Sequence, residues 1–394
     1  MVDDRVQPDR PAAAGRVWGS IGMLLLVGLM AACSPAPTPT AVVSPAPSAA
    51  PQSSAAPQSS ATPAMPTGLA PSPSATPTDP GPTIAPDAVY ALLNGVIVAE
   101  PARSRLPVAV MVDDNVVARP QYGFNAASIV YQAPADGGED RYMMIFQELD
   151  AKRIEPVRSG RPYFVNWASE YRSAFAHYGG DAKTLAYLPT IDGKVIYDVD
   201  ALFGSAVAFH RDKNRSKPHN AYTSSTEVRR QAEKRGAPAS MPTSLGVRPF
   251  ADDLPEDQRP AKSSITVPYN RGNTTYTYDR ARNQYLRSVA GKAQFDAADG
   301  KRVTARNVVV LFMKLSIDPQ SEPGHNRPLL GHVGTGKALV FRDGHVIEGT
   351  WKKPSNAALT RFYDETGNEI TLVRGRIFIQ VVQTGAKVRY EAMR

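Results

Sequence analysis

The chain has 394 residues, with 45 lysines and arginines against 37 aspartates and glutamates, and a single cysteine. One cysteine excludes an intramolecular disulfide framework. The net charge of +8 favours acidic partners, such as anionic lipid headgroups, wall polymers or phosphorylated ligands.

The first residues have the three parts of a bacterial export signal. A polar stretch carries Arg5, Arg10 and Arg16, an apolar core covers residues 21–30, and Ala31 and Ala32 precede Cys33. Such a core is shorter than the ~20 residues a spanning helix needs and suits a removable signal. Residues 1–32 therefore read as a lipoprotein signal peptide. Cleavage before Cys33 leaves a terminal thiol that can take a diacylglyceryl group, so Cys33 is the expected lipidation site. The partner is a lipid bilayer on the extracytoplasmic side of a bacterial membrane. Each buried acyl methylene contributes about 0.8 kcal/mol, so two or three chains hold where one does not.

Residues 33–83 are almost only Pro, Ala, Ser and Thr, with Asp79 as the single charge. They offer too few branched or aromatic side chains to offset the entropy of ordering. The expectation is a disordered tether reaching on the order of 100 Å, at about 3 Å per residue where it is polyproline-like.

The remainder holds 42 basic and 33 acidic residues and is long enough for two domains. The expected fold class is mixed α+β: an amino-terminal α/β domain over 84–240, a linker over 241–262 and a mostly antiparallel β domain over 263–394. In the first domain, apolar runs at 106–113, 128–132, 141–149 and 174–178 read as strands. Phe164, Trp167, Ala168 and Tyr171 fall at helical spacing behind Pro162, which suits a first helical position. Asp181 is placed to cap a second helix. Ser224 and Glu227 form a capping-box spacing for a third, which stops at Gly236. In the second domain, 274–289 and 338–351 read as hairpins, the latter around Asp343-Gly344. Residues 361–373 repeat that pattern, and 376–382 are expected to close the sheet. The GTGK string at 334–337 is too short for a phosphate loop and reads as a turn.

Four clusters could carry chemistry. Asp113, Asp114 and Asn115 follow an apolar run, where α/β sheets place ligands, and their oxygens could hold a divalent cation. His177 ends another run and is followed by Gly179, Gly180 and Asp181. If the two runs are parallel in one sheet, His177 and Asp113 reach the same edge. Arg119, Arg141, Arg158 and Arg161 form a basic set, and guanidinium forks bind carboxylate or phosphate bidentately. Arg211, Lys213, Arg215, Lys217, His219 and Asn220 form a basic loop that could cover the site. No GxSxG, HExxH or CxxC string is present.

The strings VAVMVDDN, ARPQYGF, SIVYQ, GGEDRYMMIFQ, PVRSGRPYF, HYGG and KPHNAYTSS, followed by HVGTGKALVFRDG and GTWKK, resemble the YerB-like family of bacterial lipoproteins. The resemblance runs over most of 102–382. It implies an exported protein of amino- and carboxyl-terminal domains with no assigned activity. Asp113, Arg119, Arg141, Arg158, Arg161, His177, His219 and Asn220 match the family pattern and form the expected ligand-binding set. Asp114 stands where the family more often has Asn, Ser128 where it has Asp and Gln132 where it has Glu. A metal held through those carboxylates would therefore bind less well here.

Two functions follow as expectations. One is a lipoprotein holding an anionic envelope ligand, or a scaffold for an envelope protein docked on the β domain. The other is a metal-assisted or acid/base hydrolase of an envelope phosphodiester or glycan, using Asp113 and His177. Export disfavours nucleic acid.

Overall fold

Runs such as VAVMVD and DRYMMIF are apolar without alternation, which is the pattern of strands covered on both faces. In the computed structural model, which describes residues 89–242, 245 and 247–393, they are the centre of a ten-stranded mixed sheet. The expected signal peptide (1–32), Cys33 and the tether (33–83) lie outside the described residues.

The sheet takes β1 (Val108–Asp113), β2 (Ile129–Pro134), β3 (Asp140–Phe146), β4 (Ala174–His177) and β5 (Tyr197–Asp200) from the first half. The second half contributes β9 (Asn307–Met313), β10 (Gly334–Arg342), β11 (His345–Lys353), β12 (Arg361–Asp364) and β13 (Ile377–Gln383). Their spatial order is β12-β11-β10-β9-β13-β2-β3-β1-β4-β5. A smaller sheet of six strands is built around β6 (Ser264–Val267), β7 (Thr274–Asp279), β8 (Gln284–Val289) and β14 (Arg389–Glu391).

Two apolar layers sandwich the large sheet. One face carries Val108, Val110, Tyr142 and Met144 against Tyr276 and Tyr285 of the small sheet. Helix α3 (Ser225–Lys234) adds Val228 and Ala232 to that face. The other face carries Met111, Met143 and Phe175 under α1 (Pro162–Ser169), with Leu188 of α2 (Ala182–Ile191). The caps expected from sequence are present: Asp181 accepts from the Thr184 amide at 2.8 Å, and Ser224 accepts from the Glu227 amide at 3.2 Å.

Three expectations need correction. Residues 376–382 do not close an antiparallel β domain. As β13 they run parallel to both β9 and β2, joining the two halves of the chain in one sheet. Residues 241–262 therefore do not separate two cores, and Phe250–Ala251 within them pair with Leu372–Val373. The GTGK string is not a turn but the first residues of β10, paired with Lys353 through Thr350. A Cβ on Gly336 would lie 2.6 Å from Trp351 Nε1, so the glycine there admits the indole rather than a phosphate.

Candidate functional site: an arginine-lined cleft

β1 and β4 are parallel neighbours, in register up to Val110 and Ala176. Beyond that point a segment from Pro156 to Gly160 enters between them. On one side the Asp113 amide donates to Pro156 O at 3.0 Å and the Arg158 amide to Met111 O at 3.0 Å. On the other, the Tyr178 amide donates to Arg158 O at 3.0 Å and the Gly160 amide to Gly179 O at 2.9 Å. This segment keeps Asp113 and His177 apart, although they reach the same edge.

His177 is fully buried. Its ring bonds Asp198 at 2.7 Å and Gly179 O at 2.7 Å, with Asp200 3.9 Å away. Burial acts to lower its pKa, but the hydrogen bond and charge of Asp198, with Asp200, outweigh it and raise the value above 6.5. Asp113 pairs instead with His219, whose Nδ1 lies 2.6 Å from its carboxylate, and with Arg158 at 3.1 Å. The acid/base partnership expected between Asp113 and His177 is thus replaced by Asp113 with His219.

The basic loop is anchored. Arg215 donates to Ala118 O at 2.8 Å and Pro120 O at 2.6 Å. Asn220 accepts from Arg211 at 2.7 Å and donates to Asp212 O at 3.1 Å. Asn220 therefore holds the loop's shape. Arg119 pairs with Asp114 at 3.0 Å, a carboxyl whose pKa burial raises against the pull of Arg119.

Arg141, Arg158 and Arg161 converge on a cleft of about 580 Å³, lined also by Asp136, Ser159, Gly180, Asp181, His325 and Arg327. Arg161 is engaged bidentately by Asp136 and lies 3.3 Å from Asp181. Arg327 lies 3.6 Å from Asp136 and also pairs with Glu322. Arg141 differs from them. It is 4% exposed and donates to Ser159 O at 2.9 Å. Its Nε has no hydrogen-bond partner among the described residues, and none of the ion pairs found among those residues includes it. Burial, followed by the charges of Arg161 and Arg158, brings its pKa down to about 10. A buried cation in that position is disfavoured until an anion meets it.

Sequence reasoning found three of the four arginines. It missed Arg327 and the segment around it, docked by the Gly137 amide on His325 O at 2.6 Å. Nothing local marks a contact between residues that far apart in the chain. Asp136, Asp198 and Asp200 were also missed, although each lies in a polar stretch beside a predicted element.

The departures at 114 and 132 are the two ends of one hydrogen bond: Gln132 Nε2 donates to Asp114 Oδ2 at 2.9 Å. The other amide atom, Oε1, accepts from Arg287 at 2.6 Å. The Asn–Glu pair that the resemblance implies at these positions would place the charge on the other side of that bond rather than remove it. No group of three or more His, Cys, Asp or Glu among the described residues is placed to hold a metal ion. Asp113 and Asp114 are engaged by arginine, histidine and amide groups instead.

With this geometry in hand, the comparisons with known proteins are informative. Residues 93–238 match the "Protein of unknown function (DUF3048) N-terminal domain" and residues 265–379 match its C-terminal domain. The chain belongs to this family. It is 30% identical over 294 residues to the Bacillus subtilis protein named "Putative lipoprotein YerB", covering 74% of this chain and 85% of the relative. The crystal structure of the YerB protein from Bacillus subtilis superposes with a TM-score of 0.68 at 28% identity, over 77% of this chain and 99% of that one. Both family domains contribute to the cleft, the first through Arg141, Arg158 and Arg161 and the second through Arg327.

Proposed function

We propose that the protein is a membrane-anchored extracytoplasmic lipoprotein, acylated at Cys33, whose arginine-lined cleft binds an anionic ligand of the cell envelope. The observation that carries this reading is Arg141, a buried guanidinium on the wall of an open cleft that enters none of the ion pairs among the described residues and whose Nε has no hydrogen-bond partner there. A charge-assisted hydrogen bond to an anion engages this guanidinium and offsets the repulsion from Arg158 and Arg161. The lipoprotein part is supported by the sequence before Cys33 and by the name of the relative.

Calorimetric titration of residues 84–394 with inorganic phosphate and pyrophosphate tests it. Saturable binding to wild type that weakens in Arg141→Met and Arg158→Ala is expected. Heats that are absent, or unchanged in both variants, would remove the cleft from consideration.

One observation favours a second reading, hydrolysis. The Asp113 carboxylate holds His219 Nδ1 at 2.6 Å, the arrangement by which an acid orients a general base. Turnover of an activated phosphodiester that is lost in His219→Ala but kept in His177→Gln would support it. Turnover indifferent to His219 would exclude this pair.

A further inference from the structure

The turn after β5 exposes three large apolar side chains within six residues: Leu202 at 55%, Phe203 at 61% and Val207 at 72%. They are held in place. Asp200 Oδ1 accepts both the Leu202 amide and the Gly179 amide at 2.9 Å, and the Ala201 amide donates to His177 O at 3.0 Å. Leu202 lies across Gly179, which has a φ of +63° and whose added Cβ would meet Leu202 Cδ1 at 2.8 Å. The next residue, Gly180, lines the arginine cleft. The apolar turn is thus fixed beside the basic cleft by the carboxylate of Asp200. Arg211 stacks on the ring of Tyr178 at 4.4 Å, and Lys213 and Lys217 follow in the exposed part of the neighbouring loop.

A rigid apolar projection flanked by cationic groups is the arrangement that lies in the interface of an anionic bilayer. The apolar groups enter the headgroup–acyl boundary, and the cations meet phosphate. We infer that this face docks on the membrane, with Leu202, Phe203 and Val207 entering the interface and the arginine cleft taking the phosphate of an anionic phospholipid headgroup. The inference rests on the anion-binding reading of the cleft and names the source of the anion. The inference places this face on the same membrane to which acylation of Cys33, as proposed above, would hold the chain. Charge complementarity favours lipid over a protein partner, because the apolar turn is contiguous with a cleft whose Arg141 enters no ion pair among the described residues.

The test uses residues 84–394, whose described part forms one compact unit with its own core. Trp167 and Trp351 are its only tryptophans, and both are buried, so Phe203→Trp places a single exposed reporter on the turn. Vesicles containing phosphatidylglycerol should shift its emission to the blue and sediment the protein, and phosphatidylcholine vesicles should do neither. Leu202→Ser with Phe203→Ser should weaken vesicle binding by about tenfold or more, and Arg141→Gln by about fivefold. Sedimentation with anionic vesicles without an emission shift, or unchanged in the double serine variant, overturns the inference. A parallel titration with soluble glycerol phosphate separates the two readings. Binding of glycerol phosphate without vesicle binding overturns docking and leaves the cleft standing. Vesicle binding that ignores Arg141, with no binding of glycerol phosphate, overturns both.

Discussion

Replacing Arg141 by methionine should make the unliganded protein more stable while weakening its hold on an anion. Arg141 is 4% exposed, with one hydrogen bond to Ser159 O at 2.9 Å and a buried Nε that has no partner among the described residues. An unsatisfied buried donor costs about 1–3 kcal/mol, and the bond to Ser159 contributes about 0.5–1.5 kcal/mol. Methionine keeps an unbranched apolar stem of similar reach. The balance favours the variant by about 1 kcal/mol, which is about 1–2 °C in Tm for a protein of this size. The same change removes charge-assisted bonds worth about 1.5–3 kcal/mol, so phosphate should bind roughly ten- to a hundredfold more weakly. Urea denaturation with and without phosphate reads both effects. A variant less stable than wild type in the absence of anion would mean that the folded protein already compensates Arg141. Undiminished phosphate stabilisation would mean that the ligand lies elsewhere.

Other perturbations follow from the same contacts. Asp113→Asn breaks a fully buried carboxylate away from Arg158 and His219 and should cost about 3–5 kcal/mol. His219→Ala should cost about 1–2 kcal/mol, and the reverse order in urea midpoints would contradict the assignment. Asp114→Asn and Gln132→Glu should each destabilise, and the double variant should recover about 0.5–3 kcal/mol of coupling; strict additivity would show that their hydrogen bond is not formed. His177 has a raised pKa, for the reasons given above. Its contribution is therefore complete below pH 6.5 and is lost as pH rises through the higher folded value. Asp198→Asn should flatten that fall in stability above pH 6.5, and coincident profiles would mean that His177 is neutral throughout.

The central strands and helices were legible because each depends on a short stretch of chain. Both capped helices start where a side chain reaches an amide three residues on, and the Asp343-Gly344 hairpin is set by two adjacent residues at positive φ. Strand order was not legible. The apolar run at 377–382 is covered on both faces, so its sequence is equally compatible with an edge of one domain or the seam between two regions. Only its pairing with β2 and β9 decides. The basic cluster was legible as arginines, but not as paired and unpaired ones. Arg161 and Arg141 have the same side chain, and one is engaged bidentately by Asp136 while the other enters no ion pair among the described residues.

By itself, the amino-acid order determined the basic balance and the local elements, since each is written in composition or in contiguous residues; the expected export signal, Cys33 and Pro-rich stretch lie outside the described residues. Tertiary structure alone decided that His219 rather than His177 partners Asp113, because the inserted Pro156–Gly160 segment separates the two strand ends. It also decided that Arg327 joins Arg141, Arg158 and Arg161, and that Leu202 and Phe203 stand beside their cleft. Those are contacts between distant parts of the chain, fixed by sheet order and backbone hydrogen bonds that no local pattern encodes.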